Sequence, residues 1–207
     1  MNEDLISKTI ASYDLYAKEY DESVSDIPMQ PQTDIFLSLL KKNSLILDMG
    51  CGQGRDTKRF CEKGHRVIGI DLSKELLKIA ERRTYDASFI QMDIRNMEFK
   101  ADAFDGLWAC ASLIHIPKKD MPKTLEKSYE IAREGCIFYA TVKKGDEEKT
   151  LFDKKYGNTQ KSWSFFQKKE MENFLEEAGF KMISDKYFEN KSAVRTEDVW
   201  LNFFCRK

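Results

Sequence analysis

The sequence predicts one α/β domain: a seven-stranded, mainly parallel sheet with helices on both faces and an antiparallel last strand. Three observations carry this. Short apolar runs alternate with amphipathic segments from residue 44 to 142, the pattern of β–α–β units joined by right-handed crossovers. The first run ends in Asp48 and closely spaced glycines and the second in Asp71, so two strand tips bring acids and a tight turn to one place. The last two apolar runs, near 180–189 and 198–205, have a short connection that favours an antiparallel pair at the sheet edge.

In chain order, residues 3–20 read as a helix with Tyr13, Tyr16 and Tyr20 on one face. Ser25-Asp-Ile-Pro28 breaks that pattern, and a second helix follows over 32–41. Strands are expected at 44–48, 66–70, 87–91, 104–109 and 135–142, with helices at 54–63, 73–83 and 118–133 between them. Ser73 is the expected N-cap of its helix, and Gly64 stands where a helix-stopping glycine belongs. Met121, Leu125, Ser128 and Ala132 repeat at helical spacing. Residues 143–162 are polar and lysine-rich and read as a long excursion. Met171, Phe174, Leu175 and Ala178, followed by Gly179, mark the last amphipathic helix. The chain thus divides into a helical cap (1–43), a core (44–142), and a region of loop, last helix and edge strands (143–207).

Composition narrows the function classes. With 207 residues, 42% hydrophobic and 33% charged, the chain is an ordinary soluble globular protein with room for a substantial core. A formal net charge of −1 offers no global attraction to nucleic acid or anionic membranes. There is no secretory pattern at the N-terminus and no apolar run near the roughly 20 residues of a membrane span, so a cytoplasmic protein is expected. Five cysteines without CxxC spacing read as reduced, mostly buried thiols. Two histidines with no ligand-spaced cluster point to no metal site.

The chemistry lies in Leu45-Ile-Leu-Asp-Met-Gly-Cys-Gly-Gln-Gly54 and Val67-Ile-Gly-Ile-Asp71. Gly50, Gly52 and Gly54 let backbone approach a ligand where a Cβ would collide. Asp71, 19 residues beyond Gly52 at the next strand tip, stands where a carboxylate accepts hydrogen bonds from ribose hydroxyls. The GxGxG spacing, with Asp48 just before it, differs from the dinucleotide fingerprint, and the anion suits a cationic ligand better than a pyrophosphate.

These residues resemble the class I S-adenosylmethionine-dependent methyltransferases, in particular the small type 11/25 group, whose fold is Rossmann-like. Leu47–Gly54 looks like the first motif and Gly69-Ile-Asp71-Leu-Ser73 the second. Gln91-Met-Asp93-Ile94 looks like the third-strand motif and Phe104–Pro117 the fourth; Trp163-Ser-Phe-Phe and Glu170–Phe180 are also typical. The resemblance makes 44–142 a cofactor-binding core and implies roles residue by residue. Asp48 and the backbone of Gly50 would face the methionine end of S-adenosylmethionine, with Gly52 and Gly54 under the cofactor and Cys51 also among its binding residues. Asp71 would hold the ribose and Leu72 pack on the adenine, with Met92, Asp93 and Ile94 near its amino group. Ala109 and Cys110 would line the methionine side. Arg55 would either reach the cofactor carboxylate or cap the turn. The product would be S-adenosylhomocysteine.

The acceptor side is less determined. His115, after the fourth strand, is either a base or acceptor partner, or a pin for the loop into Pro117. Tyr13 and Tyr20 form either a lid, whose aromatic faces suit a sulfonium, or plain helix packing; Tyr20 joins His115 as a candidate catalytic residue. His65 reads as a strand-entry residue and Trp108 as core. Trp163, Phe165 and Phe166 line an acceptor pocket or lead into the last helix. Lysines 143, 144, 149, 154, 155 and 161, interspersed with acids, read as a solvated loop, with a basic rim for RNA as the alternative. The expected function is methyl transfer to an O, N or S atom of a small-molecule acceptor, by a monomer or homodimer without membrane association. RNA (tRNA) methylation or silent cofactor binding are the alternatives.

Overall fold

The computed structural model describes residues 3–192 and 197–207; residues 1–2 of the expected cap and 193–196 of the link before the last strand lie outside the described residues. Two helices, α1 (Glu3–Leu15) and α2 (Ala17–Val24), replace the single one expected over 3–20. The backbone departs from helix at Tyr16 (φ −118°, ψ 30°), which swings the Tyr16 ring toward Tyr156 while Tyr13 and Tyr20 meet edge to face at 5.1 Å. α3 (Gln32–Leu39) follows.

The core then runs β1 (Leu45–Met49), α4 (Arg55–Glu62), β2 (Arg66–Asp71), α5 (Lys74–Arg83), β3 (Ala87–Gln91), β4 (Phe104–Cys110), α6 (Met121–Ile131) and β5 (Ala132–Lys144). Ser73 caps α5 as expected, its hydroxyl accepting from Leu76 N–H, and Gly64 follows α4 with φ +83°. α6 is shorter than its 118–133 pattern. It begins after a 3₁₀ turn at Lys118–Asp120 and passes into β5 at Ala132 without a loop.

Beyond β5 come β6 (Glu148–Asp153), β7 (Thr159–Phe166), α7 (Lys168–Glu177), β8 (Lys181–Met182), β9 (Phe188–Lys191) and β10 (Val199–Arg206). The polar excursion expected over 143–162 is an antiparallel β-hairpin, with Glu148 paired to Ser164 and Asp153 to Thr159. Its return strand buries Lys161, Ser162, Trp163 and Ser164 in succession; buried polar residues erase the alternation that marks a strand in sequence.

The main sheet has the order β3-β2-β1-β4-β5-β10, parallel through β5 and antiparallel at β10. β8 and β9 both pair with the outer edge of β10, at Cys205↔Met182 and Trp200↔Asn190. The strand expected over 180–189 is therefore one sheet position split by a 3₁₀ turn at Ser184–Lys186. The predicted seven-position layer stands, with the hairpin added where β7 joins β5 at Lys143↔Phe165.

One sheet face packs against α6 and α7 through Leu107, Phe138, Leu125, Met171 and Leu175. The other packs against α3 and α4 through Phe36, Phe60 and Trp108, whose ring stacks on Tyr139 at 4.0 Å. Trp108 is core, as the sequence suggested. All five cysteines are free thiols. Among the described residues no helix is long and apolar enough to cross a membrane. Strand order reverses between β1 and β4, which opens a crevice at the carboxyl ends of the strands.

Candidate functional site

The turn after β1 is fixed by backbone. Gly50 N–H and Cys51 N–H both donate to the Ile70 carbonyl (2.8 and 2.9 Å), and Gly50 and Gly52 take φ +77° and +54°. A Cβ on Gly50 would stand 2.4 Å from Ser112 Cβ, whereas above Gly52 nothing comes closer than 4.0 Å. Gly52 thus offers bare backbone to the cleft, with only Tyr20 and Leu76 at contact distance. Asp71, at the tip of β2, accepts Gly52 N–H on Oδ2 (2.9 Å) and Ser73 N–H on Oδ1 (2.8 Å). Those bonds hold its carboxylate against a burial that raises its pKa, and leave lone pairs for a ligand.

These tips line a two-lobed cleft. The smaller lobe, about 130 Å³, is walled by Asp71, Leu72, Met92, Asp93 and Ile94 from the sheet and by Ile6 and Ile10 from α1. The larger, about 390 Å³, is walled by Asp48, Arg55, Lys143, Lys161, Trp163 and Trp200 among others. Tyr13, Tyr20, Gly50, Gly52, Cys110 and Ala111 line both lobes. Ala111 is held at φ +57°, a conformation that non-glycine residues rarely adopt, where the two lobes meet. The Ser112 hydroxyl, buried beside Gly50 on the smaller lobe, has no hydrogen-bond partner among the described residues.

Asp48 is 2% exposed and accepts the Thr57 hydroxyl at 2.6 Å. Burial, and next the Asp56 carboxylate, push its pKa up to about 7 against the Thr57 hydrogen bond and Arg55. Burial also works to raise Asp56, but Arg55 overrides it and holds that carboxyl below its usual range. Arg55 grips Asp56 with Nε and Nη2 (2.8 Å each) and reaches the Val24 carbonyl at 3.3 Å. It therefore does not cap the glycine turn, and lines the larger lobe as a clamped cation.

Other sequence expectations divide. Leu72, Met92, Asp93, Ile94, Cys51 and Cys110 all line the cleft, although the Asp93 carboxylate is already engaged by Arg95 N–H (2.8 Å) and Nε (2.9 Å). Two expectations fail. Ala109 is fully buried within β4 and lines neither lobe, because the alternation of the strand turns it into the core. Gly54 faces α5, where its Cβ would stand 2.9 Å from Ala80 Cβ; it serves helix packing. Trp163 reaches the cleft, while Phe166 is core and Phe165 packs against it.

The lysine-rich segment needs the largest correction. Lys161 and Lys143 are 2% and 4% exposed and face the larger lobe. Lys143 Nζ lies 2.6 Å from Asp198 and 4.0 Å from the Trp163 ring centroid. Lys161 Nζ lies 3.6 Å from Asp153, and 4.0 and 4.2 Å from the ring centroids of Tyr13 and Tyr156. Sequence reasoning missed these two lysines and their aspartates. The one available signal was that Lys143 directly continues the apolar run of β5.

The cap is tied to the core. Asp14 accepts the Ser73 hydroxyl (2.6 Å) and Glu75 N–H (3.1 Å), and Arg83 at the end of α5 donates to Asp21 and Ser25 of the α2 region. The Tyr13 hydroxyl lies 3.0 Å from His115 Nε2, and His115 Nδ1 lies 2.7 Å from the Ser162 carbonyl. The tyrosine that meets His115 is thus Tyr13 and not Tyr20. Burial, with Lys161 and Lys143 nearby, lowers the His115 pKa to about 4 against its bond to Ser162.

The chain is similar to proteins named as methyltransferases. Residues 46–135 match a family model described as a methyltransferase domain. A Bacillus subtilis protein named as a methyltransferase, YqeM, is 30% identical over 61% of this chain and 54% of its own length. The chain spans about half the length of the first two curated relatives it matches. A crystal structure of a Methanosarcina mazei S-adenosylmethionine-dependent methyltransferase shares the fold, with TM-score 0.78 at 18% identity over 87% of this chain and 99% of that one. So does the Burkholderia thailandensis 1,6-didemethyltoxoflavin-N1-methyltransferase, solved with 1,6-didemethyltoxoflavin and S-adenosylhomocysteine. Its TM-score is 0.76 at 23% identity, over 98% of this chain and 87% of that one.

Proposed function

Because the chain belongs to the class I S-adenosylmethionine-dependent methyltransferases of the type 11/25 group, we propose that it methylates an O, N or S atom of a small-molecule acceptor by direct displacement. The observation that carries this reading is the two-lobed cleft. Bare glycine backbone and Asp71 lie at one lobe, a chemically different lobe adjoins it, and Tyr13, Tyr20 and Cys110 stand where the two meet. S-adenosylmethionine, when bound, supplies a methyl group already activated on sulfur.

The residues present fit that cofactor. In this reading Asp71 accepts the ribose hydroxyls and Leu72, Met92 and Ile94 flank the adenine, with Asp93 beside it. The open backbone of Gly52 and the otherwise unmatched Ser112 hydroxyl meet the polar body of the ligand. Asp48, Gly50, Cys51, Arg55 and Cys110 surround the methionine end, where a carboxylate and a guanidinium match an amino acid's two charges. The protein's main contribution is alignment, worth about 7–11 kcal/mol of the barrier when two reactants are well oriented.

A small acceptor is supported by the size of the larger lobe, about 390 Å³, and by its charge. Its buried lysines stand beside Asp153 and Asp198, which suits a compact polar molecule better than a polyanion. The test is incubation with methyl-radiolabelled S-adenosylmethionine and a cell extract separated into small molecules, RNA and protein. Enzyme-dependent label is expected in the small molecules. Label confined to RNA overturns the acceptor class, and no label in any fraction beside intact cofactor binding favours a silent binder.

A further inference from the structure

We propose that Tyr13 and His115 form a proton relay serving an acceptor whose attacking oxygen or nitrogen still carries a proton, which narrows the acceptor to hydroxyl or N–H compounds. The inference rests on the methyltransferase reading above.

The direction of the relay follows from which atoms can donate. The Ser162 carbonyl can only accept, so His115 Nδ1 at 2.7 Å carries the hydrogen. A neutral imidazole then has a bare Nε2, and the Tyr13 hydroxyl at 3.0 Å must donate to it. With its own proton directed at His115, the Tyr13 oxygen keeps lone pairs for a donor from the cleft, at the junction of the two lobes. Three separate elements fix the arrangement: α1 carries Tyr13, the 3₁₀ turn after β4 carries His115, and β7 carries Ser162. The imidazole is also braced by the Trp163 ring, 4.8 Å away.

The charges around the pair favour this start. Lys161 lies over the Tyr13 ring and Lys143 over the Trp163 ring, and both, with burial, keep His115 neutral in the free protein. Tyr20, Asp71, Tyr156 and Asp153 are the other titratable groups acting on Tyr13. Tyr20 stands edge-on to Tyr13.

The step balances. The acceptor proton passes to the Tyr13 oxygen while the Tyr13 proton passes to His115 Nε2. The acceptor's electron pair forms the new bond to the methyl carbon, and the carbon–sulfur pair returns to sulfur. One positive charge leaves sulfur and one appears on the imidazole, so the charge within the cleft is unchanged.

That charge exchange gives a direct test. His115 and His65 are the only histidines, so ¹⁵N-histidine labelling of the full chain yields two imidazole spectra, assigned with His115→Gln. Spectra are recorded from pH 3.5 to 8, a range that spans the His115 pKa of about 4, with S-adenosylmethionine and with S-adenosylhomocysteine. The relay predicts the Nδ1–H form of His115 in both complexes and protonation beginning about one pH unit higher with S-adenosylhomocysteine, which lacks the neighbouring positive charge. His65 titrates identically in both, and Tyr13→Phe moves His115 Nε2 to the position of a nitrogen with no donor. An Nε2–H form, or equal titration in the two complexes, overturns the relay while leaving the methyltransferase reading intact. Failure of both ligands to bind overturns that reading and the relay with it. A product methylated on sulfur or on a carboxylate overturns the relay alone.

Discussion

The sheet side of the cleft and the hairpin side differ in what they are made of. Around β1, β2 and β4 the wall is mainly backbone geometry: two glycines with positive φ, a peptide turn bonded to Ile70, and an aspartate whose orientation is set by two N–H groups. Across from it stand the buried Lys143 of β5, Asp153 of β6 and Lys161 and Trp163 of β7, with Asp198 and Trp200 at the start of β10 beside them. The first wall is local in sequence and built for one ligand geometry. The second is assembled from distant segments and depends on charges held out of water, where removing one partner of a pair is far more damaging than removing both.

The largest effect is expected on the backbone wall. Gly50→Val requires a side chain where even a Cβ meets Ser112 at 2.4 Å, at a φ that valine disfavours. S-adenosylhomocysteine binding by calorimetry should weaken by about 100-fold or more, given the strain of a β-branched residue at positive φ. Retained affinity would mean that this wall tolerates movement.

Next comes the charged wall. Lys161→Met removes the ammonium 3.6 Å from the buried Asp153, and urea unfolding should show a loss of about 3–5 kcal/mol. The double variant Lys161→Met/Asp153→Leu should recover most of that loss. Equal losses in the single and double variants would show that the pair does not act as a unit.

Asp48 gives a pH signature of comparable or smaller size. Its carboxyl is raised from 3.8 to about 7, so the unfolded chain releases this proton first as pH rises. The stabilising contribution of the protonated group is fully present below about pH 4 and is lost as pH climbs through about 7. Asp48→Asn removes this dependence, and the stability gap between wild type and variant should change by on the order of 3 kcal/mol between pH 4 and 8. A flat difference would mean that Asp48 is ionised throughout.

The smallest effect concerns the joint between cap and core. Asp14→Ala removes the acceptor for Ser73 Oγ and Glu75 N–H and should lower stability by about 1 kcal/mol, as loss of a helix cap does. Hydrogen exchange should quicken in α1 and at the start of α5 together; quickening in only one would show that the two are not coupled there.

The same contrast decides how much could be read from sequence. Leu45–Gly54 and Asp71 were legible because periodicity, glycine spacing and strand-end position all lie within about 30 residues of each other. The alternation that placed those elements did not extend to β6 and β7, whose buried lysine and serines look like a solvated loop. Lys161 becomes a site residue only when the hairpin folds it against Tyr13, 148 positions earlier in the chain. Gly54 and Ala109 were misplaced for the opposite reason: both belong to the right motif, but Ala80 and the inward face of β4 claim them.

The most direct test of the central claim is titration of S-adenosylhomocysteine into the wild-type chain and into Asp71→Ala, followed by calorimetry. Saturable binding at one site, weakened by about tenfold or more when the carboxylate that gains charge-assisted hydrogen bonds is removed, is the predicted result. No binding, or equal affinity in the two proteins, would contradict the assignment of this cleft.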